Sequence, residues 1–454
     1  MSTLKTNKVQ HVDASGTNTN LELDSSRNVT CKNDLTVDGD LSVTGTIPAD
    51  KLTGTAAAIN GSNLTNLPAA NITGTLPAID GSNLTGIVSV PKENLVINGD
   101  FRIWQRGTDD TSDVVSGYCG PDRWKKVWYG GTVIGKRIAL TTGTPYDEGF
   151  RYSFQQKVTS ASTGTDRYSL FQYLFEATDL ATSGWKYVDS SSKIRVQFWA
   201  KSSLAGKYWV EFQSQDGTKR AYPYSFNLSA DTWTKISYAI PGDSNITINN
   251  DGGAGGKLTI YTHLGTDYTN DSGSATATWK NQDGNASTED YDQNWLNTAN
   301  ATWEITGVQV TVGEDAGDFQ HRSYADEWRR CERYYQRLGA GSEGATIDSG
   351  GDMYSSTIYA VGFGYDSDDV KFLRVLPTRM KSAPSVTAKP TAAVLDVSNG
   401  QQASGNNTAT IQLNMSDPNQ LDLGIDTDAS LNGGAVYGLY MYDAAGYLDI
   451  SAEL

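Results

Sequence analysis

Two short repeats occupy the first 90 residues of this 454-residue chain, and they limit the folds open to it more than any other feature. From Val29, an apolar pair two positions apart and a turn residue recur every six positions: Val29-Thr-Cys31-Lys-Asn33-Asp, Leu35-Thr-Val37-Asp-Gly39-Asp and Leu41-Ser-Val43-Thr-Gly45-Thr. Such alternation predicts short half-buried strands, each ended by a bend. A second repeat has a period of twenty: Ile47-Pro48-Ala49 returns as Leu67-Pro68-Ala69, Leu52-Thr53-Gly54-Thr55 as Ile72-Thr73-Gly74-Thr75, and Ile59-Asn60-Gly61-Ser62-Asn63-Leu64-Thr65 as Ile79-Asp80-Gly81-Ser82-Asn83-Leu84-Thr85. Units this small cannot bury their apolar side without a stacked neighbour, and about three stacked repeats are needed for stability. The three hexads would supply only one coil of a single-chain β-helix, so the neighbours must come from other copies of the chain. Cyclic closure of identical chains also removes open strand edges. Residues 26–90 are therefore expected to form a thin homotrimeric β-stalk, with 1–25 as an anchoring segment. A flexible Gly/Ser/Thr/Asn linker is the alternative, and the regular placement of Leu, Ile and Val counts against it.

Charge removes several function classes. With 52 Asp+Glu against 36 Lys+Arg the formal net charge is −16, which opposes binding that neutralises nucleic-acid phosphates or an anionic membrane surface. No run approaches the roughly 18 apolar residues of a membrane span, and the N-terminus lacks a signal-peptide core, so neither membrane insertion nor secretion by the usual route is expected. Cys31, Cys119 and Cys331 have no metal or redox spacing, an odd count that fits assembly in a reducing cytosol.

From Lys92 the texture is that of a folded domain. The chain holds 46 Gly, 24 Tyr, 11 Trp and 11 Phe with only 19% charged residues, a balance that favours an all-β protein with tight turns. Alternating segments at Tyr152–Val158, Lys193–Trp199, Tyr208–Gln213, Thr234–Ile240, Lys257–Tyr261 and Trp303–Val312, split by Gly/Asn/Asp/Ser turns, predict an antiparallel jelly-roll β-sandwich over 91–338. The Asn/Asp/Gly/Ser-rich stretch from Asn249 to Asn300 is expected to form long surface loops. One helix is predicted over 323–338: Ser323 and Asp326 form an N-cap signal, Tyr324, Trp328, Cys331, Tyr335 and Leu338 share a face, and Gly339 stops it. Residues 339–454, with alternation at Ser356–Gly362, Thr408–Leu413 and Ala435–Met441, are expected to be a small distal β-sandwich domain.

Several segments resemble one known family. Asn94-Leu95-Val96-Ile97-Asn98-Gly99-Asp100-Phe101, Pro121-Asp122-Arg123-Trp124, Ile305-Thr306-Gly307-Val308-Gln309-Val310, and Cys331-Glu-Arg333-Tyr334-Tyr335 look like the jelly-roll module of bacteriophage tail fibres, which is similar to carbohydrate-binding modules. The opening Met1-Ser-Thr-Leu-Lys-Thr-Asn-Lys and the ending Tyr447-Leu448-Asp449-Ile450-Ser451 resemble the two ends of such fibres. The resemblance implies a virion structural protein, assembled in the host cytoplasm. It would be joined to other tail or capsid proteins through its N-terminal segment, and would attach to a bacterial surface polysaccharide by multivalent binding. The alternatives are a capsid-decorating fibre or tail component without a receptor and, further off, a polysaccharide depolymerase.

No catalytic constellation stands out, and the chain is expected not to be an enzyme. His11, His263 and His321 sit in unrelated contexts, and no nucleophile-elbow or phosphate-loop motif occurs. No cofactor is expected: the oxygen-rich run Asp366-Ser-Asp368-Asp369 is a candidate for Ca²⁺, but it lacks the Gly and distal Glu of an EF-hand loop and reads first as a solvated loop. For glycan binding the candidates follow from strand parity. If Ile194, Val196 and Phe198 face the core, then Arg195, Gln197 and Trp199 face out. The same parity on Tyr208, Val210 and Phe212 puts Trp209 and Glu211 outside. Two indoles beside polar groups could stack on a sugar ring and fix its hydroxyls, unless a helix or a neighbouring protomer covers them.

Overall fold

Ile194, Val196, Phe198, Tyr208, Val210 and Phe212 all lie in one hydrophobic core, as the alternation of their strands requires. The computed structural model describes residues 8–13, 16–23, 29–31 and 92–339, the last without 108, 111–116, 119, 273–275 and 293. Beyond these it describes 360–364, 369–389, 392–396, 401–402, 410–426, 435–441 and 447–454. The expected stalk, apart from Val29–Cys31, lies outside the described residues.

The chain divides into two compact units, Met1–Thr85 and Gly86–Leu454. In the first, β1 (Lys8–Asp13), β2 (Gly16–Leu23) and β3 (Val29–Cys31) make an antiparallel sheet in that order.

In the second unit two six-stranded antiparallel sheets face each other. One runs β12 (Thr234–Pro241), β9 (Lys193–Ser202), β15 (Thr302–Val312), β7 (Tyr152–Ser160), β6 (Thr132–Ala139), β4 (Asp109–Asp110). The other runs β14 (Lys280–Asn281), β11 (Arg220–Leu228), β10 (Gly206–Ser214), β13 (Ala254–Leu264), β8 (Tyr168–Glu176), β5 (Trp124–Tyr129). The fold is thus the all-β jelly-roll sandwich that the sequence predicts. Aromatic rings from both sheets fill it: Phe171 stacks on Trp124 at 4.7 Å and on Phe154 at 4.3 Å, with Phe101 packed beside all three.

Three short helices punctuate the sandwich: α1 (Thr144–Asp147), α2 (Ala177–Thr182) and α3 (Tyr324–Glu332). The Ser323 hydroxyl caps α3, accepting from the Asp326 amide at 3.1 Å. The helix is shorter than the sequence suggests, however. Arg333 ends it, and Tyr335–Gly339 forms a strand, β16, paired with β25 (Tyr447–Ser451). A full set of ladder bonds to β25 outweighs the helical spacing of Tyr335 and Leu338. The buried face also differs, since α3 buries Glu327 and Cys331 while Tyr324 stays exposed.

Beyond α3, β25 also pairs with β19 (Ser385–Lys389). A seven-stranded sheet runs β21 (Gln401–Gln402), β20 (Ala392–Asp396), β24 (Val436–Met441), β17 (Ala360–Gly364), β18 (Asp369–Val375), β23 (Gln420–Asp426), β22 (Thr410–Asp417). These two sheets share a small core that includes Val370, Phe372, Leu421, Leu423, Tyr437, Leu448 and Ile450. The expected boundary between 338 and 339 falls inside β16.

The segments around Asn98, Asp122 and Arg322 meet in one buried latch. Asn98 accepts from the Ile103 amide and donates from Nδ2 to the carbonyls of Ile103 and Asp122. Its backbone amide donates to Glu327, which also pairs with Arg322 at 3.1 Å. These residues hold the sandwich to α3, and Arg123, 2.7 Å from Glu453, holds it to the segment that follows β25.

Candidate functional site

The outer face of the sheet containing β10, β13 and β8 is where residues collect that can hold a polar ligand. Strand register aligns its side chains in rows. Val127, Leu170, Tyr261 and Trp209 form an apolar row across four strands, and Lys125, Gln172, Thr259 and Glu211 form a polar row beside it. Gln172 donates to Thr259 at 3.3 Å and Tyr261 donates its hydroxyl to Glu211 at 3.2 Å.

The Asn/Asp-rich stretch after β13 folds back over this face and turns it into a cleft of about 180 Å³. Tyr168, Leu170 and Tyr268 line one side, Glu211, Gln213, Gln172 and Lys257 the floor, and Gln282 and Ser287 the far rim. Tyr168 and Tyr268 meet edge to face at 5.5 Å, and half-exposed Tyr129 continues the aromatic surface 6.0 Å from Tyr168. Aromatic faces beside amide and charged groups are what an amphipathic sugar ring needs: the rings take its C–H face and the polar groups its hydroxyls.

Electrostatics on the floor are set by burial. Desolvation raises the Glu211 carboxyl, with Lys257 and Lys280 pulling the other way, and desolvation lowers the Lys257 ammonium. A raised carboxyl binds its proton more tightly in the folded chain, so its contribution to stability falls as pH rises from the ordinary value of 4.5 through the raised one. Glu211→Gln removes that part of the slope. Urea titrations at about pH 4.5 and 7.5 should show the variant gaining on the native chain at the higher pH; a pH-independent difference would refute the assignment.

The five glycan candidates from strand parity do face outward, but the structure does not bring them together. β9 and β10 belong to opposite sheets, joined by residues 203–205, so Arg195, Gln197 and Trp199 lie on one outer surface and Trp209 and Glu211 on the other. Both indoles are covered. Trp199 packs with Leu140, Phe150 and Trp233 and donates Nε1 to Glu148 at 3.0 Å, while Trp209 is fully buried beside Tyr291. Gln197 is buried, and Arg195 is tied to Ser237 at 2.9 Å. Of the five, only Glu211 lines the cleft.

Tyr168, Leu170 and Gln172 escape a reading of the sequence because Tyr168-Ser-Leu-Phe-Gln-Tyr-Leu-Phe-Glu176 is nearly apolar on both parities. The outward parity of Lys257, Thr259 and Tyr261 in the predicted strand is the signal that leads to the face. Of the Ca²⁺ candidates, Asp366 and Asp368 lie outside the described residues, and Asp369 opens β18 opposite Asp426. Among the described residues no group of three His, Cys, Asp or Glu is placed to hold a metal ion.

No protein-family model matches this chain, and no curated protein sequence does. Solved structures similar to it include the enzymatically active domain of tailspike protein 4 of bacteriophage CBA120, at 11% identity over 48% of this chain and 21% of that one, with a TM-score of 0.27. A CBM4 structure is similar at 11% identity over 48% of this chain and 98% of its own, TM-score 0.25. The CBM22-1 xylan-binding domain from Paenibacillus barcinonensis is similar at 10% identity over 50% of this chain and 99% of its own, TM-score 0.24. This chain therefore spans about a fifth of the tailspike chain, and it resembles all three over about half its own length.

Proposed function

We propose that the sandwich binds a surface glycan in the cleft formed by β8, β10 and β13, and that the chain is a homotrimeric phage tail fibre that attaches the particle to its host. The observation that carries this reading is the cleft itself, with Tyr168 and Tyr268 standing over a floor of Gln172, Gln213, Glu211 and Lys257. Glu211 is the one carboxylate among its lining residues, whereas glycoside hydrolysis ordinarily uses two, so the reading is of binding without cleavage. The trimer rests on the repeats between Val29 and Thr85, which need neighbours. It is supported by Val361, Phe363, Leu373 and Val375, apolar side chains more than half exposed on β17 and β18. Three sites on one fibre convert weak affinity into firm attachment, and in the cleft stacking and hydrogen bonding mediate it, since a chain of charge −16 gains no bulk attraction to an anionic envelope.

The test is a glycan array probed with the full-length trimer, followed by titration of the best ligand. Tyr168→Ala should weaken binding about 10–100-fold per site, the range of an aromatic hot spot, with an unchanged unfolding midpoint. Unaltered affinity in a folded Tyr168→Ala trimer, or a full-length chain that runs as a monomer, would overturn the corresponding half of the proposal.

A further inference from the structure

A larger cavity, of about 430 Å³, opens beside β6 and the start of β7 in the other sheet and shares no residue with the cleft. Its walls come from three parts of the chain: Asp100 and Arg102 from the loop after Asn98, Arg137, Arg151 and Tyr152 from β6 and the entry to β7, and His321 and Tyr324 from the start of α3. Three guanidinium groups converge there against a single carboxylate, in a chain whose acids outnumber its bases by sixteen.

Each cation is already positioned. Arg151 donates Nη1 to the carbonyls of Tyr146 and Phe150, both at 3.0 Å, and lies 4.0 Å from the centre of the Tyr146 ring. Arg137 lies 4.6 Å from the centre of the Tyr152 ring. Arg102 pairs with Asp100 at 3.0 Å and donates to the Arg322 carbonyl at 2.7 Å. His321 Nε2 meets the Glu148 carbonyl at 3.0 Å; a carbonyl only accepts, so Nε2 carries the proton. Gly149, with φ of 99°, lets the chain pass close to His321, since a Cβ there would approach Nε2 to 3.1 Å.

We infer that this cavity is a second ligand site and that it takes an anionic sugar residue, its carboxylate on the arginines and its ring against Tyr152 and exposed Tyr324. Planar guanidinium groups recognise carboxylates through paired N–H donors, and arginines fixed by backbone carbonyls and ring faces lose little freedom on binding. The volume lies within the roughly 300–1,000 Å³ of small-molecule sites. Asp100 does not oppose this, because it is paired with Arg102 at 3.0 Å and leaves Arg137 and Arg151 as the cations facing a ligand. The anion half of the inference stands on the cavity alone; the sugar half rests on the glycan-binding reading.

Calorimetry of the full chain with a galacturonic acid trimer, a neutral galactose trimer and inorganic phosphate tests it. The acidic trimer should bind, more weakly as salt is raised. Arg137→Gln and Arg151→Gln should each weaken it about 10–100-fold, the worth of one charged hydrogen-bonded pair, with the unfolding midpoint unchanged. Equal binding of the acidic and neutral trimers, or acidic binding that survives both substitutions in folded protein, overturns the inference. Displacement of the acidic trimer by equimolar phosphate overturns its sugar half. Failure of the cleft reading shows separately, as neutral glycan binding that Tyr168→Ala leaves untouched.

Discussion

Glu453→Ala is expected to lower the unfolding free energy at neutral pH by about 3–5 kcal/mol, the usual cost of leaving a buried charge unpaired. The Glu453 carboxylate sits between two arginines, 3.1 Å from Arg106 Nη2 and 2.7 Å from Arg123 Nη1, and all three side chains are less than a tenth exposed. Arg123 depends on it most. Its other polar contact is a bond from Nη2 to the Leu174 carbonyl at 2.8 Å, and its guanidinium is stacked 3.5 Å from the centre of the Tyr334 ring, out of reach of water. Arg106 keeps Asp122, but at 3.7 Å, and burial pushes that carboxyl up to about 6 despite the arginine. The loss therefore falls on a guanidinium with no route to solvent. Because Ala452 donates its amide to the Tyr334 carbonyl and Tyr118 donates to the Leu454 carbonyl, the same change loosens the last strand from the sandwich. Chemical denaturation with Glu453→Gln alongside separates charge from shape: both variants should lose most of this stability. A change below about 1 kcal/mol in Glu453→Ala would show that water reaches the arginines and that the latch is not closed.

How far the sequence could lead depends on which physical constraint each residue obeys. Alternation tells inside from outside, because successive side chains on a strand point to opposite faces. Ile194, Val196 and Phe198, and likewise Tyr208, Val210 and Phe212, are assigned correctly for that reason. Alternation does not tell which of two sheets a strand joins. The three-residue link between β9 and β10 looks like a hairpin turn, yet it carries the chain across the sandwich and parts Trp199 from Trp209. Nor does parity foresee cover: the loop carrying Tyr291 and the segment carrying Glu148 exclude solvent from the two indoles. Glu211 is found because it lies on a strand with clean alternation, whereas Tyr168 is missed because β8 packs apolar side chains on both faces. The helix start is legible in Ser323 and Asp326, which interact locally. Its end is not, because β16 owes its form to β25 more than a hundred residues later. The short motifs are conspicuous for a related reason: Asn98, Asp122 and Tyr334 each satisfy buried partners, the Ile103 amide, the Gln105 amide and the Glu176 carboxylate.

Gly99→Ala is the other substitution with a large expected effect, and it acts through space. A Cβ on Gly99 would lie 2.0 Å from the Val308 carbonyl oxygen and 3.1 Å from its carbon, both backbone atoms in the middle of β15. The Gly99 carbonyl accepts from the Val308 amide at 2.9 Å, and the Leu95 amide donates to the Val310 carbonyl at 2.9 Å, so residues 95–99 run against β15 with no slack. Relief requires one segment to move. Moving 95–101 pulls Asn98 from its buried hydrogen bonds to Ile103, Asp122, Glu327 and Trp124, and Phe101 from its place beside Trp124 and Phe171. Overpacking alone costs about 1–3 kcal/mol, and coupling to that network should take the loss to about 3 kcal/mol or more. Gly143→Ala is the contrast: its φ of 91° and ψ of 174° are a backbone conformation that essentially only glycine adopts, but nothing lies within 4 Å of the added carbon, so about 1–3 kcal/mol of backbone strain without overpacking is expected there. Denaturation of both variants beside the native chain reads the difference. A loss below about 1 kcal/mol in Gly99→Ala would mean that β15 yields to the segment at Gly99, and that the close approach there does not hold the latch.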